Sequence, residues 1–237
     1  MIIKVCGLRD AENIHDVAQL GINWMGFVFC RDSPRFVQQI SSRAGIIPDF
    51  GSQEAARGGK DSNLALAEEK RIELCGVFVD DMPQNIVTRV VNYKLDIVQL
   101  QGSENAVMID NLRRTLDPDI RPGIKIMKVL QVSTREDVLK YKDYENVVDY
   151  FLFDSKVDTE GENEMQFDWS LLDAYEGNVP FLLGGGIGLD DVEKIKAFRH
   201  PQFMGIDLNN RFETEPAMKD ISKLETFIKQ IKERVQD

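Results

Sequence analysis

Short runs of apolar, β-prone residues recur along the chain, and each is followed by turn or polar residues and then by a helical pattern. Most successive runs begin about 22 to 31 residues apart, the length of one strand–loop–helix unit. Eight runs are predicted to be strands: 2–5, 25–29, 75–79, 97–100, 124–129, 150–153, 181–183 and 204–206. Eight such units in 237 residues predict an α/β fold of the (β/α)₈ TIM-barrel type, as a single domain over residues 1–237.

Helical spacing between the strands supports this organisation. Asp10 is a candidate N-cap of the first helix. The residues that follow it at i, i+3, i+4 and i+7 are Ile14, Val17, Ala18 and Gly21. The segment DDVEKIKAF gives Val192, Ile195 and Lys196 a similar spacing.

One interval breaks the rhythm, because about fifty residues separate the second and third strands. The excess lies in residues 46–64, whose Gly, Ser and charged content predicts an exposed loop insertion before a helix ending near Glu73. A tolerated surface insertion is the simpler interpretation. The alternative is a lid over the site.

Composition narrows the possible partners and cofactors. The net charge of −11 argues against general affinity for nucleic acid or an anionic membrane, since polyanions need a basic surface. No apolar run approaches the length of a membrane span, and the first residues lack the pattern of a signal peptide, so a cytoplasmic protein is expected. Three cysteines and two histidines predict neither a disulfide framework nor a metal site.

Polar residues at the predicted strand ends are the candidates for chemistry, because a barrel of this kind has its active site at the C-terminal ends of the strands. Cys75 begins its strand and is expected to pack, while His15 and His200 are placed away from the site. Proton transfer would then use cysteine, carboxylate or lysine. The residues that end or follow strands are Cys6, Cys30, Asp154, Gly184–Gly186, Asp207, Asn209 and Asn210.

Cys6 is the candidate base. Side chains alternate along a strand, so Ile2, Lys4 and Cys6 are predicted to face the barrel interior, while Ile3 and Val5 face the helices. An ammonium on the same face would favour the thiolate, which can act as a base. The alternative is that Lys4 pairs with an interior carboxylate and Cys6 only packs.

Asp154 is the candidate acid. In YFLFDSK, Phe151 and Phe153 face one way, and Asp154 faces the barrel mouth beside apolar neighbours that would raise its pKa. A carboxylate that only caps the following loop is the alternative.

Residues that could bind the anionic groups of a ligand, a phosphate or a carboxylate, lie in two further parts of the chain. The glycines Gly184–Gly186 follow the seventh strand, where backbone N–H groups could cradle a phosphate, and Asn209, Asn210 and Arg211 follow the eighth. Asp190 and Asp191 could cap the next helix, so the phosphate is placed on the glycine amides. The planar fork of Arg35 suits a carboxylate, although a surface ion pair would also explain it.

A set of motifs spread over nearly the whole chain resembles the phosphoribosylanthranilate isomerase family of tryptophan biosynthesis. The motifs are KVCG, WMGFVF with SPRFV, CGVFVD, LDIVQLQG, FDWSLL, GGGI and EPAMKDISKLETFI, in the family's order.

The resemblance implies a (β/α)₈ barrel that acts as an intramolecular oxidoreductase without a cofactor. It would convert N-(5-phosphoribosyl)anthranilate into 1-(2-carboxyphenylamino)-1-deoxyribulose 5-phosphate by an Amadori rearrangement. Asp154 would be the general acid and Cys6 the general base. Arg35 would hold the anthranilate carboxylate, and Gly184–Gly186, Asn209, Asn210 and Arg211 the phosphate. Gln101 and Asp207 would make other substrate contacts.

The chain departs from the family pattern at three places. Gln101 stands where the family usually has histidine, and Asn209-Asn210-Arg211-Phe212-Glu213 replaces Ser-Ser-Gly-Val-Glu. Gly161-Glu162-Asn163-Glu164 replaces Gly-Gly-Thr-Gly, which puts two anions near an anionic substrate.

The partner expected is a small phosphosugar, with no nucleic acid and no membrane, for a monomer or a homodimer. Alternatives are a catalytically weakened barrel that acts as a binding or partner protein and another phosphosugar barrel, such as indoleglycerol-phosphate synthase or a histidine-pathway isomerase.

Overall fold

A computed structural model describes residues 1–38, 71–156 and 166–233 of the protein. Within these ranges, eight parallel strands close into a barrel in the order β1 to β8. The strands are β1 (Ile2–Val5), β2 (Trp24–Val28), β3 (Glu73–Phe78), β4 (Ile97–Leu100), β5 (Lys125–Val132), β6 (Tyr150–Ser155), β7 (Phe181–Leu183) and β8 (Phe203–Leu208). The predicted (β/α)₈ fold is confirmed.

Helices of the described ranges lie between the strands and after the last one. They are α1 (Ala11–Ala18), α2 (Pro83–Tyr93), α3 (Ala106–Leu116), α4 (Arg135–Leu139), α5 (Val192–Ala197) and α6 (Ile221–Lys232). The Asp10 carboxylate accepts hydrogen bonds from the N–H groups of Glu12 and Asn13, so it caps α1 as predicted. In the part of the chain that the structure describes, no helix is both long and apolar enough to cross a membrane.

The helix end predicted near Glu73 is wrong. A helix was expected to end near Glu73, but Glu73 is the first residue of β3, where its N–H donates to the Asn23 carbonyl at 3.0 Å. Parallel pairing with β2 therefore determines the conformation there. The predicted insertion 46–64 lies outside the described residues.

Side-chain alternation in β1 and β6 follows the prediction. Ile3, Val5, Phe151 and Phe153 belong to the large apolar cluster between barrel and helices. Residues of the opposite parity face the interior: Leu152 lies in an inner cluster, against which Ile2 and Tyr150 pack, and Cys6 contributes to a smaller cluster near the mouth. Two layers of apolar packing thus fix the directions of Cys6 and Asp154.

A short hairpin after β8 is fastened to the first helix. It consists of β9 (Glu213–Glu215) and β10 (Met218–Lys219). The buried amide of Asn13 accepts from the N–H of Lys219 and donates to its carbonyl, both at 2.8 Å. This pair of hydrogen bonds places the Lys219 side chain under the barrel mouth.

Candidate active site

A cavity of about 410 Å³ opens at the C-terminal ends of the strands. Ten of the eleven predicted site residues line it: Cys6, Arg35, Gln101, Asp154, Gly184, Gly185, Gly186, Asp207, Asn209 and Asn210. Its walls come from both ends of the chain, because barrel closure makes β1 and β8 neighbours.

Lys4 forms a buried ion pair with a residue of the cavity. Its Nζ lies 2.7 Å from Oδ2 of Asp207, and the Lys4 side chain has no exposed surface. The first half of the alternative, that Lys4 pairs with an interior carboxylate, is therefore confirmed, and its second half, that Cys6 only packs, stays a prediction. The second oxygen of Asp207, Oδ1, is buried and has no hydrogen-bond partner among the described residues.

Lys4 favours the Cys6 thiolate, as predicted, but the net shift of the Cys6 pKa is in the opposite direction. Burial raises the pKa of the Cys6 thiol and outweighs the opposing effects of Lys4 and Lys219, while the Asp207 carboxylate raises it further. The resting side chain is a thiol, because withdrawal from water disfavours the thiolate more than the nearby ammonium groups favour it.

Asp154 lies at the end of β6 and lines the cavity. Its Oδ1 accepts a hydrogen bond from the N–H of Ser155 at 2.9 Å, so the carboxylate also caps the strand end. A Cβ at Gly184 would lie 3.3 Å from that oxygen. A glycine at this position therefore leaves the carboxylate room.

The glycine loop after β7 needs its glycines for geometry. Gly185 and Gly186 have φ values of +79° and +65°, which side chains rarely adopt. A Cβ on Gly185 would also collide with Ser155. The Asp191 carboxylate accepts from the N–H of Gly188 at 2.8 Å, so it caps the end of the loop, as the capping interpretation predicted.

Arg211 is the one predicted site residue that does not line the cavity. Its Nη1 donates to the Gly186 carbonyl at 3.2 Å, and its Nη2 lies 3.7 Å from Asp190. The side chain crosses Gly188, where a Cβ would approach it to 2.7 Å. Arg211 thus holds the glycine loop through the Gly186 carbonyl, and its direct contact with a phosphate stays a prediction.

Arg35 lies in the predicted site and also forms an ion pair within the protein. It lines the cavity, and its guanidinium pairs with both carboxylate oxygens of Glu213, with an Nη2–Oε2 distance of 2.6 Å. Burial alone would raise the pKa of Glu213, but hydrogen bonds from Arg35 and Lys219 bring it below its usual value.

The sequence-based site omitted Gln99, Glu213 and Lys219. Gln99 lines the cavity and could have been found from strand parity, because it faces the same way as Gln101. Glu213 and Lys219 carry no local signal, since their partners come from distant segments.

Cys75 packs and both histidines lie away from the site, as expected, although Cys75 is the third residue of β3 rather than its first. Cys75 is buried in the inner apolar cluster. His15 is exposed on α1, and His200 packs against Tyr175 and Phe181 before β8. Over residues 1–38, 71–156 and 166–233, no three His, Cys, Asp or Glu side chains are grouped as metal ligands.

Two departures from the family pattern can be assessed. Gln101, Asn209 and Asn210 line the cavity, and Arg211 donates a hydrogen bond to the glycine loop. The segment with Glu162 and Glu164 lies outside the described residues.

The closed barrel, with a thiol, a carboxyl group and a glycine loop around one cavity at its C-terminal face, defines a (β/α)₈-barrel protein with an enzyme-like site. Comparison with known proteins narrows this class. The family model for N-(5'-phosphoribosyl)anthranilate isomerase matches residues 49–230. The chain belongs to this family.

Relatives share sequence over nearly the full length. The N-(5'-phosphoribosyl)anthranilate isomerase of Parabacteroides distasonis is 42% identical over 231 residues, which cover 98% of this chain and 93% of that protein. The corresponding protein of Phocaeicola vulgatus is 35% identical and covers 100% of each. A solved structure of monomers generated from the dimeric isomerase of Thermotoga maritima has a TM-score of 0.68 at 25% identity, covering 98% of this chain and 99% of that one.

Proposed function

We propose that the cavity isomerises N-(5'-phosphoribosyl)anthranilate to 1-(2-carboxyphenylamino)-1-deoxyribulose 5-phosphate, a step of tryptophan biosynthesis. The observation that carries the proposal is that Cys6 and Asp154 line the same cavity as the glycine loop. An Amadori rearrangement needs one acid and one base, and the site offers a candidate for each. It needs no cofactor, because the reaction moves protons within one molecule.

Asp154 is the general acid in this proposal. It donates its proton to the ribose ring oxygen while the bond from that oxygen to C1' breaks, which gives the open-chain Schiff base. Cys6, as the thiolate, then removes the C2' proton to give the enolamine. Tautomerisation returns a proton to C1' and leaves a ketone at C2', so atoms and electrons balance.

The other cavity residues bind the two anionic ends of the substrate. Arg35 lines the cavity and binds the anthranilate carboxylate, while Glu213 holds its guanidinium in place through Nε and Nη2. The N–H groups of Gly184–Gly186, with Asn209 and Asn210, bind the phosphate, and Gln101 and Asp207 contact the sugar. Arg211 supports the phosphate loop through the carbonyl of Gly186.

We further propose that residues 1–237 form one domain and that the protein acts in the cytoplasm. Its partner would be a small phosphosugar, with no nucleic acid and no membrane. The chain would be a monomer or a homodimer, and the solved Thermotoga maritima protein is described as dimeric. Light scattering at several concentrations distinguishes these states.

Turnover of freshly made N-(5'-phosphoribosyl)anthranilate, followed by the loss of its fluorescence, tests the proposal. Wild type should turn over the substrate, and Cys6→Ser and Asp154→Asn should each lose about 100-fold or more in kcat, the range for an acid or base group. Cys30→Ser, which alters a second thiol of the same cavity, should remain close to wild type.

The outcomes separate the claims. A purified wild type without turnover would overturn the activity and favour a binding or partner role. A Cys6→Ser variant as fast as wild type would overturn only the base assignment, and the same result for Asp154→Asn would overturn only the acid assignment.

A further inference from the structure

Lys219 is a buried cation next to the cavity that the reaction above does not use. Its side chain has no exposed surface, and its backbone is fixed to α1 through Asn13. Burying a lysine is costly unless its ammonium is paired and hydrogen-bonded. The hydrogen-bond acceptors of the Lys219 ammonium therefore indicate which side chains it positions.

The ammonium of Lys219 has three acceptors. Nζ lies 2.6 Å from Oε1 of Glu213, 2.8 Å from Oδ1 of Asn209 and 3.3 Å from the Asn209 carbonyl. An ammonium has three N–H donors and no acceptor, so these contacts can satisfy all of them. Lys219 does not itself line the cavity. Its hydrogen bonds can therefore reach a ligand only through Glu213 and Asn209, while its charge also lowers the pKa of Cys6.

Glu213 links Lys219 to Arg35, because its carboxylate accepts hydrogen bonds from both. Its Oε1 accepts from both Lys219 and Nε of Arg35, and its Oε2 accepts from Nη2 of Arg35. The N–H of Ala217 also donates to Oε1, at 3.2 Å, which fixes the carboxylate to the hairpin turn. A carboxylate held in this way sets the plane of the guanidinium.

Asn209 is the second residue of the cavity that Lys219 orients, through the side-chain amide. Because an ammonium can only donate, Oδ1 of Asn209 must face Lys219, and the amide nitrogen with its two donors must face elsewhere. Asn209 lines the cavity, so an anionic ligand group there would find donors rather than an acceptor.

The two sides meet over the loop that follows β1. A Cβ at Gly7, whose φ is +78°, would lie 2.7 Å from both Cδ of Arg35 and Oδ1 of Asn209. Arg35, Glu213, Lys219 and Asn209 therefore form a chain of contacts whose two ends lie beside Gly7, and we call this set of residues the Lys219 ring. It holds two cations and one anion, and this leaves one positive charge for an anionic substrate.

We propose that Lys219 is a positioning residue for substrate binding: it holds Glu213 against Arg35 and turns the donor side of Asn209 toward the phosphate of the ligand. This inference rests on the proposed function, because that function supplies a ligand with a carboxylate and a phosphate.

Calorimetric titration of the full chain with inorganic phosphate tests the role without turnover. Lys219→Met removes the ammonium and keeps most of the side-chain length. It should weaken phosphate binding about tenfold, the effect of losing one charge-assisted hydrogen bond. The KM for phosphoribosylanthranilate should rise by a similar factor, and kcat should change less. Lys229→Met, at an exposed lysine of α6, is the matched control and should bind as wild type does.

A second variant guards against a failure of Lys219→Met to fold. Asn209→Asp keeps an acceptor for Lys219 and so should keep the fold, but it replaces the amide donors with a carboxylate oxygen. Phosphate binding should weaken about tenfold or more, because a donor is lost and a negative charge is gained.

Unchanged phosphate affinity in a folded Lys219→Met variant, or in Asn209→Asp, would overturn the inference. So would a wild type that binds no phosphate, or a Lys219→Met variant in which only kcat or only thermal stability falls. A wild type that binds phosphate but does not turn over the substrate would overturn the proposed function and leave the positioning role intact.

Discussion

Cys6 lies where two effects of opposite sign act on one thiol. Burial raises its pKa, and the ammonium groups of Lys4 and Lys219 lower it without reversing the result. Cys6, the base proposed for the reaction, is thus mainly protonated at neutral pH. The cavity favours the neutral form because it removes water from the sulfur.

We predict that Cys6 titrates above the value of an ordinary cysteine, which is about 8.5. The thiolate absorbs in the ultraviolet, so a pH titration of Cys30→Ser minus that of the Cys6→Ser/Cys30→Ser double variant isolates Cys6. Cys75, whose pKa burial also raises, is present in both proteins, so its absorbance is removed by the subtraction. Adding Lys4→Met should move the midpoint further up, because it removes a cation that favours the thiolate. A midpoint at or below the ordinary value would contradict the prediction.

Strand parity was enough to place Lys4 and Cys6 on the inner face, because one buried strand with alternating side chains has one consistent arrangement. The direction of the pKa shift could not be predicted. It depends on how much water reaches the sulfur, and that is set by the neighbouring strands and loops rather than by β1.

At the scale of elements, the sequence predicted strand centres better than strand ends. β1, β4 and β7 have the predicted bounds, because their apolar runs end where pairing ends. β5 and β6 continue further, since Gln131 pairs with Asp154 and Val132 with Ser155. Apart from Val132 these residues are polar and gave no strand signal, although the carboxylate of Asp154 has its position because β6 extends that far.

Asp137 in α4 gives a prediction about one element. Its carboxylate caps the helix by accepting from the N–H groups of Ser133 and Thr134, and it pairs with Lys140 and Lys156. Burial opposes the charge, but these hydrogen bonds hold the pKa of Asp137 well below its usual range. A lowered folded-state pKa stabilises the protein above the unfolded pKa, about 3.9, and this contribution is lost as the pH falls.

We therefore expect Asp137→Ala to lower the free energy of unfolding by about 1–2 kcal/mol at pH 7, the effect of a lost cap. Urea unfolding measures this difference, which should shrink as the pH falls through the acid range. Asp143→Ala, at an exposed position of the following turn, is the matched control and should have little effect. A difference for Asp137→Ala that is the same at acid and neutral pH would count against the assignment.

At the scale of the whole molecule, the site depends on contacts between distant segments. Lys4 and Asp207 are 203 residues apart, and Arg35 and Glu213 are 178 apart. Local patterns could identify candidate residues because the barrel brings strand ends together. They could not predict the partners, since an ion pair depends on the neighbours that closure creates. The Lys219 ring was missed for the same reason.

The pair of Lys4 and Asp207 joins the first strand to the last, and the two residues lie opposite each other in the β1–β8 register. Replacing Lys4 alone leaves an uncompensated carboxylate in the barrel interior. We expect Lys4→Met to lower the free energy of unfolding by about 3–5 kcal/mol at pH 7, the range for a broken buried pair. Urea unfolding of the purified chain measures the loss.

The cause of that loss can be tested by pH and by a second substitution. Burial already raises the pKa of Asp207 against the opposing effects of Lys4 and Lys219, and without Lys4 only the smaller effect of Lys219 remains. A raised carboxyl pKa favours folding below the unfolded value, and the benefit is lost as the pH rises, so the defect of Lys4→Met should shrink in acid. The double variant Lys4→Met/Asp207→Asn removes both charges and should recover most of the stability at pH 7. If the double variant is as unstable as Lys4→Met at every pH, the loss of stability comes from lost packing of the lysine side chain and not from an unpaired charge.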